Sequence, residues 1–172
     1  MSDKIIKNGR VVADDRLTVS LAEGEVPADI AVPAGPVLVP LAVWQARREE
    51  LLARARSGEV GVWLAAGEDV AALADDLGLL QIVGLHFPKF TDGRAFSQAV
   101  LLRRRYRFAG DLRATGDVLI DQLLQMQRSG FSSAVLAPGI QADAAERQLA
   151  RYQGFYQGDM LEPRPLFARE AA

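Results

Sequence analysis

From Val37 to about residue 156 the chain repeats one unit, a short apolar run followed by a longer stretch with helical periodicity, with no hairpin turn between successive runs. "VLVP" precedes a helix near 41–56, in which Leu41, Trp44, Leu51, Leu52 and Ala55 share a face and Gly58 ends the helix. "VGVWLAA" at 60–66 predicts a strand, 68–78 a helix, "LQIVGLHF" at 80–87 a strand and 93–106 a helix. The pattern continues with a strand at 110–115, a helix at 118–129, a strand at 131–137 and a helix at 141–156. Strands spaced in this way are parallel neighbours joined by right-handed helical crossovers. The repeat therefore predicts an α/β fold, either a small mainly parallel sheet or an incomplete β/α barrel with flanking helices. Periodicity leaves both open. In both, the loops that follow the strands gather at the carboxyl edge, where ligands bind.

The first 35 residues follow another pattern. "IIKNGRVV" sets Asn8 and Gly9 between apolar pairs, the signature of a type I′ hairpin, because both central residues need positive φ. "LTVSL" adds a short strand, and a connector rich in Glu, Gly and Pro leads to the main body. The expected division is an N-terminal β-hairpin extension with its linker over 1–35 and an α/β domain over 36–172. Such a hairpin has few core contacts of its own and is a candidate surface for a homodimer. The tail from Glu162 is expected to be irregular.

Composition removes whole classes of function. The formal net charge of −2 gives no general attraction for a polyanion, so nucleic acid is not an expected partner. The basic cluster "RRRYR" at 103–107 instead fits the last turn of a helix, where cations complement the macrodipole. The chain has no cysteine and one histidine, which excludes disulfides and thiolate chemistry and leaves no basis for a self-contained zinc site. No run has the length of a membrane span, and "MSDKIIKNGR" lacks the apolar core of a signal peptide, so the expected compartment is the cytoplasm. Neither a G-x-G-x-x-G after a strand, a Walker A sequence nor a G-x-S-x-G elbow occurs, so the cofactor, if any, is unknown from the sequence.

The carboxyl-edge rule selects two loops, "HFPKFTDGR" and "RATGD". Thr91 or Asp92 can cap the helix that follows, Gly93 leaves the backbone open, and Lys89 and Arg94 add positive charge to a helix N-terminus, a combination that favours an anion. Arg94 can hold sulfite, sulfate, phosphate or a carboxylate through two parallel bonds, and Arg113 is expected to join it. Asp92 and Asp117 are the candidate acid and base, with Asp121 one turn beyond Asp117. The same residues also fit structural roles, Asp92 as a cap and Arg94 paired with a carboxylate such as Asp117. His86 stands at a strand end with a pKa suited to proton transfer, but a lone histidine there more often serves structure.

"FPKFTDGRAFSQAVLLRRRY" followed by "GDLRATGDVLIDQLLQMQRSGF" resembles the bacterial DUF934 family over about Gly35 to Tyr156. Its members are often labelled oxidoreductases and are typically encoded beside assimilatory sulfite reductase. The resemblance places Phe87 to Arg94 in one motif and Gly116, Asp117, Asp121 and Gln122 in another. It implies a role in sulfur assimilation and cysteine biosynthesis. Two departures stand out: Ser129 lies where relatives often carry cysteine, so a thiol mechanism is not general, and His86 lies where relatives carry other residues, including an acidic one. Two functions are therefore expected. The first is an accessory protein of sulfite reduction that binds the reductase or its electron donor. The second is a small enzyme or carrier for a sulfur-containing or phosphorylated anion, including an oxidoreductase, built on Lys89, Asp92, Arg94 and Asp117.

Overall fold

Asn8 and Gly9 adopt φ of 51° and 81°, the left-handed values that the predicted turn demands, and join β1 (Asp3–Lys7) to β2 (Arg10–Asp14). The computed structural model describes residues 3–152 and 154–169. Two further residues form β3 (Leu17–Thr18), and the strand and helix units then follow in order. They are β4 (Val37–Pro40), α1 (Leu41–Arg56), β5 (Val60–Leu64), β6 (Ile82–Phe87), α2 (Arg94–Arg104), β7 (Asp111–Gly116), α3 (Leu123–Ser129), β8 (Ser133–Val135), α4 (Ala142–Leu149) and the short α5 (Leu166–Arg169). No helix among the described residues is long and apolar enough to cross a membrane.

All eight strands belong to one sheet of order β2-β1-β8-β7-β6-β5-β4-β3. Strands β3 to β8 are parallel and lie in chain order, without the reversal that would send helices to both faces. That decides between the two expected architectures: the sheet is a curled half-barrel. The curl follows from chain length. A flat sheet of this width would hold its edges roughly 33 Å apart, yet only Asp15 and Arg16 separate β2 from β3, a span of about 11 Å at most. The N-terminal segment thus supplies both sheet edges, with β1 pairing antiparallel to β8 and β3 parallel to β4.

Alternation along the strands sorts the side chains into two layers. Val37, Val39, Val62, Leu64, Val83 and Leu85 face the helices and join the main core with Trp44, Leu51, Leu102 and Met126. Ile5, Leu38 and Ile82 are equally buried but stand apart from that core, on the inner face. A Cβ on Gly61 would lie 2.8 Å from both Ile82 O and Leu38 Cδ2, so glycine there allows these side chains to fill the curl.

Three predicted helices are shorter than expected. The 68–78 stretch is a 3-10 turn over Val70–Leu73 followed by further turns. Asp69 accepts from Ala71 N, and Asp76 turns inward to accept from Trp44 Nε1 (2.8 Å) and from Arg48 Nε and Nη2 (2.9 and 2.7 Å). The 118–129 stretch opens with a 3-10 turn at Ile120–Gln122, and α begins only at Leu123. The last helix stops at Leu149 rather than 156, where Arg128 stacks 4.1 Å from the Phe155 ring and draws the chain aside; Gln153 of that stretch lies outside the described residues. The tail contains the helical turn of α5, and residues 170–172 lie outside the described residues.

Asp76 is the polar clasp between α1 and the turns that replace the expected helix. Asp76→Ala leaves the buried Trp44 N–H without its acceptor and Arg48 with Glu49 as its remaining carboxylate, a loss of about 2–3 kcal/mol. The expected fall in Tm is roughly 4–12 °C by scanning calorimetry. A fall below about 2 °C would show that the clasp contributes no more than an ordinary surface pair.

Candidate functional site

Strands β6 and β7 are paired from Ile82↔Asp111 to Phe87↔Gly116, so the loops leaving their carboxyl ends start side by side. Gly116 turns the chain with φ of 85°, which brings Asp117 N to Phe87 O at 2.8 Å. The Asp117 carboxylate then accepts from Phe90 N at 2.8 Å, and Gln122 Nε2 donates to Phe90 O at 2.9 Å. The backbone of Phe90 is held on both sides while its side chain remains exposed, the residue being 48% accessible. Lys89 and Thr91 beside it are also exposed. The two sequence motifs are therefore one structural unit, in which the second pins the first.

This arrangement revises several expected roles. The carboxylate suggested for Arg94 was one such as Asp117; Arg94 pairs instead with Asp92, and the Asp117 carboxylate holds the neighbouring loop. Gly93, not Asp92, is the N-cap of α2; Asp92 accepts from Arg94 N at 3.2 Å and forms a fork with the Arg94 side chain through Nε and Nη2 (3.0 and 2.6 Å). The bonds from the Arg94 side chain, with that from its backbone, hold the Asp92 carboxyl down to about 2. An aspartate so placed is ionised throughout the neutral range and is poorly matched to proton transfer there. Gly93 precedes α2 at φ of −83°, with room for a Cβ. Asp121 is exposed, and its carbonyl accepts from Gln148.

Arg113 does not join the loop. It lies within β7, 3% exposed on the inner face, and pairs with Asp14 and with Asp111 (3.3 Å) while donating to Ser133 Oγ at 3.2 Å. Asp111 is the hub of this cluster, accepting from Ser132 Oγ (2.6 Å) and Ser133 Oγ (2.8 Å) and pairing with Lys7 at 3.2 Å. Burial alone would raise the Asp111 pKa, but these hydrogen bonds and the charges of Arg113 and Lys7 outweigh it and hold the carboxyl below the usual range. Nearby, Arg16 donates to the carbonyls of Val37, Gly58 and Glu59 across the amino ends of β4 and β5. Burial and the Arg113 charge push its guanidinium below its ordinary value. The signal for this network was present in "DLRAT", where charges at 111 and 113 alternate with Leu112 and Ala114 at strand period; a charged strand interior demands partners.

His86 also points to the inner face, its ring 5.4 Å from that of Trp63 and Nδ1 3.3 Å from Thr115 Oγ1. Burial lowers its pKa by disfavouring the charged ring. Arg103, from the basic cluster, donates to the carbonyls of Phe108, Gly110 and Gly130 beyond the end of α2. Ser129 is buried, with its Oγ 3.4 Å from Gln125 Nε2. Among the described residues no group of three or more His, Asp or Glu converges as a metal site.

The loop presents an exposed aromatic side chain on a backbone held at both its N–H and its carbonyl, with Lys89 next to it in sequence. Its carboxylates are engaged in positioning that display, which makes the surface better suited to recognition than to acid and base chemistry. No curated protein matches the chain. Residues 61–167 match the profile of a family described as bacterial proteins of unknown function, a match that includes both loops and the segment after α4; the chain belongs to this family, DUF934.

Proposed function

We propose that this protein is a cytoplasmic accessory factor of assimilatory sulfite reduction that binds the sulfite reductase or its electron donor through the face around Phe90. The observation that carries the reading is the exposed Phe90 on a backbone pinned by Asp117 and Gln122, with Lys89 and Arg94 on either side of it in the sequence. Aromatic and arginine side chains dominate binding energy at protein interfaces, and a preformed loop lowers the ordering cost of association. The pathway itself rests on the family resemblance, whose members are encoded beside the reductase.

The test is growth of a deletion strain on sulfite or on sulfide as sole sulfur source. Growth on sulfide alone, restored by the wild-type gene and poorly by Phe90→Ala, is the expected result. Purified Phe90→Ala is expected to keep its fold and to bind the reductase or the donor at least about 30-fold more weakly. Equal growth on both sulfur sources, or no association with either protein, would reject the proposal.

A second reading rests on Arg94 Nη1, which takes no part in the fork with Asp92, and on exposed Lys89 in the same loop. A small oxyanion bridging them would make the protein a carrier or enzyme for such an anion. Calorimetry with sulfite, sulfate and phosphate separates the readings, because this one requires binding that Arg94→Ala abolishes.

A further inference from the structure

A cavity of about 440 Å3 opens at the amino edge of the sheet, opposite the Phe90 loop. Topology builds it: β7 and β8 begin there, α2 returns there at Arg103, and the β1–β2 turn arrives because β1 runs antiparallel to β8. The turn after α4 shapes its rim. Asp159 Oδ1 accepts from Leu161 N and Glu162 N at 2.9 Å, while Oδ2 accepts from Arg128 Nε at 3.2 Å, and this holds Met160 and Leu161 against the opening.

The cavity has two chemically distinct parts. Leu149, Met160 and Leu161 contribute apolar surface, and Lys7, Arg103 and Asp111 lie on its polar side. Asp111 already accepts from Ser132, Ser133, Lys7 and Arg113. The cations keep unused donors: the Lys7 ammonium, whose side chain is 44% exposed, gives one of its three protons to Asp111. Arg103 uses Nε and Nη1 on backbone carbonyls and leaves Nη2 without a partner among the described residues. A polar end with donors to offer and a saturated carboxylate selects an anion over a cation. The apolar surface selects a hydrocarbon or aromatic body, and the volume is that of a small-molecule site.

We propose that this cavity binds a small amphipathic carboxylate, with its head at Lys7 and Arg103 and its apolar body along Leu149, Met160 and Leu161. The site is independent of the Phe90 face and survives if the docking role fails. Calorimetry on the full chain with octanoate, octanol and octylamine tests it. Octanoate is expected to bind at least about ten-fold more tightly than octanol, with no binding of octylamine, and Lys7→Met is expected to bring octanoate down to the level of octanol. Titration of the wild-type protein with octanoate, followed by amide NMR, is expected to shift Gly9, Gly110 and Gly130 and to leave Phe90 and Gly93 unmoved. Absence of octanoate binding at millimolar concentration, equal binding of octanol, an unchanged affinity in folded Lys7→Met, or shifts centred elsewhere would each overturn the assignment.

Discussion

Asp111→Ala is expected to destabilise the protein by about 3–5 kcal/mol, because it leaves the buried Arg113 guanidinium with Asp14 as its remaining carboxylate and strips Ser132, Ser133 and Lys7 of a shared acceptor. Urea unfolding at pH 7 measures the loss, and a value under 1 kcal/mol would show that the inner-face network is a solvated cluster of little consequence. The pH dependence has a definite sign. Since the Asp111 carboxyl is depressed in the folded protein, its contribution is fully present above the unfolded value of about 4 and is lost as pH falls through the lower folded value. The gap between wild type and Asp111→Ala should therefore be widest at neutral pH and should narrow below about pH 4. A gap that grows on acidification would contradict the assignment of Asp111 as an ionised hub.

The network also explains what was and was not legible in the sequence. Runs such as "VGVWL" and "IVGLHF" carry their fold information locally, because strands covered on both faces must be apolar throughout and their crossovers dictate parallel pairing. The turn at Asn8 and Gly9 is equally local. The curl of the sheet is not. It depends on β2 and β3 being joined by Asp15 and Arg16 alone, and no periodicity reports the distance between two edges. Arg113 illustrates the consequence: in a linear reading it belongs to a loop rich in polar residues, whereas the curl places it opposite Asp14, a partner 99 positions away. The 68–78 stretch differs for a related reason, since Asp76 finds acceptor duty with Trp44 and Arg48 that a regular helix would not have aimed at them. The candidate loops were visible because their residue types were unusual for a strand-to-helix turn. What those residues do was hidden, because Asp117 and Gln122 act on the backbone of Phe90 rather than on a ligand.

Gly116 is where fold and site depend on the same atom. At φ of 85° an alanine costs about 1–2 kcal/mol relative to glycine, and its Cβ would overlap the Phe87 carbonyl oxygen and lie 2.6 Å from His86 Cε1. Crowding against a backbone oxygen cannot be relieved by a rotamer change and adds about 1–3 kcal/mol, so Gly116→Ala is expected to lose roughly 4 kcal/mol in total. Asparagine distinguishes the two causes. It tolerates left-handed φ better than alanine but carries the same Cβ, so Gly116→Asn should remain within about 1 kcal/mol of Gly116→Ala if the overlap dominates. Recovery of nearly all the lost stability in Gly116→Asn would show that φ alone governs this turn. Displacement here also moves Asp117, which holds Phe90, so both variants should bind the proposed partner as weakly as Phe90→Ala under conditions where they remain folded. Tight binding by a folded Gly116→Ala would separate the turn from the site and leave Phe90 to be positioned by Gln122 alone.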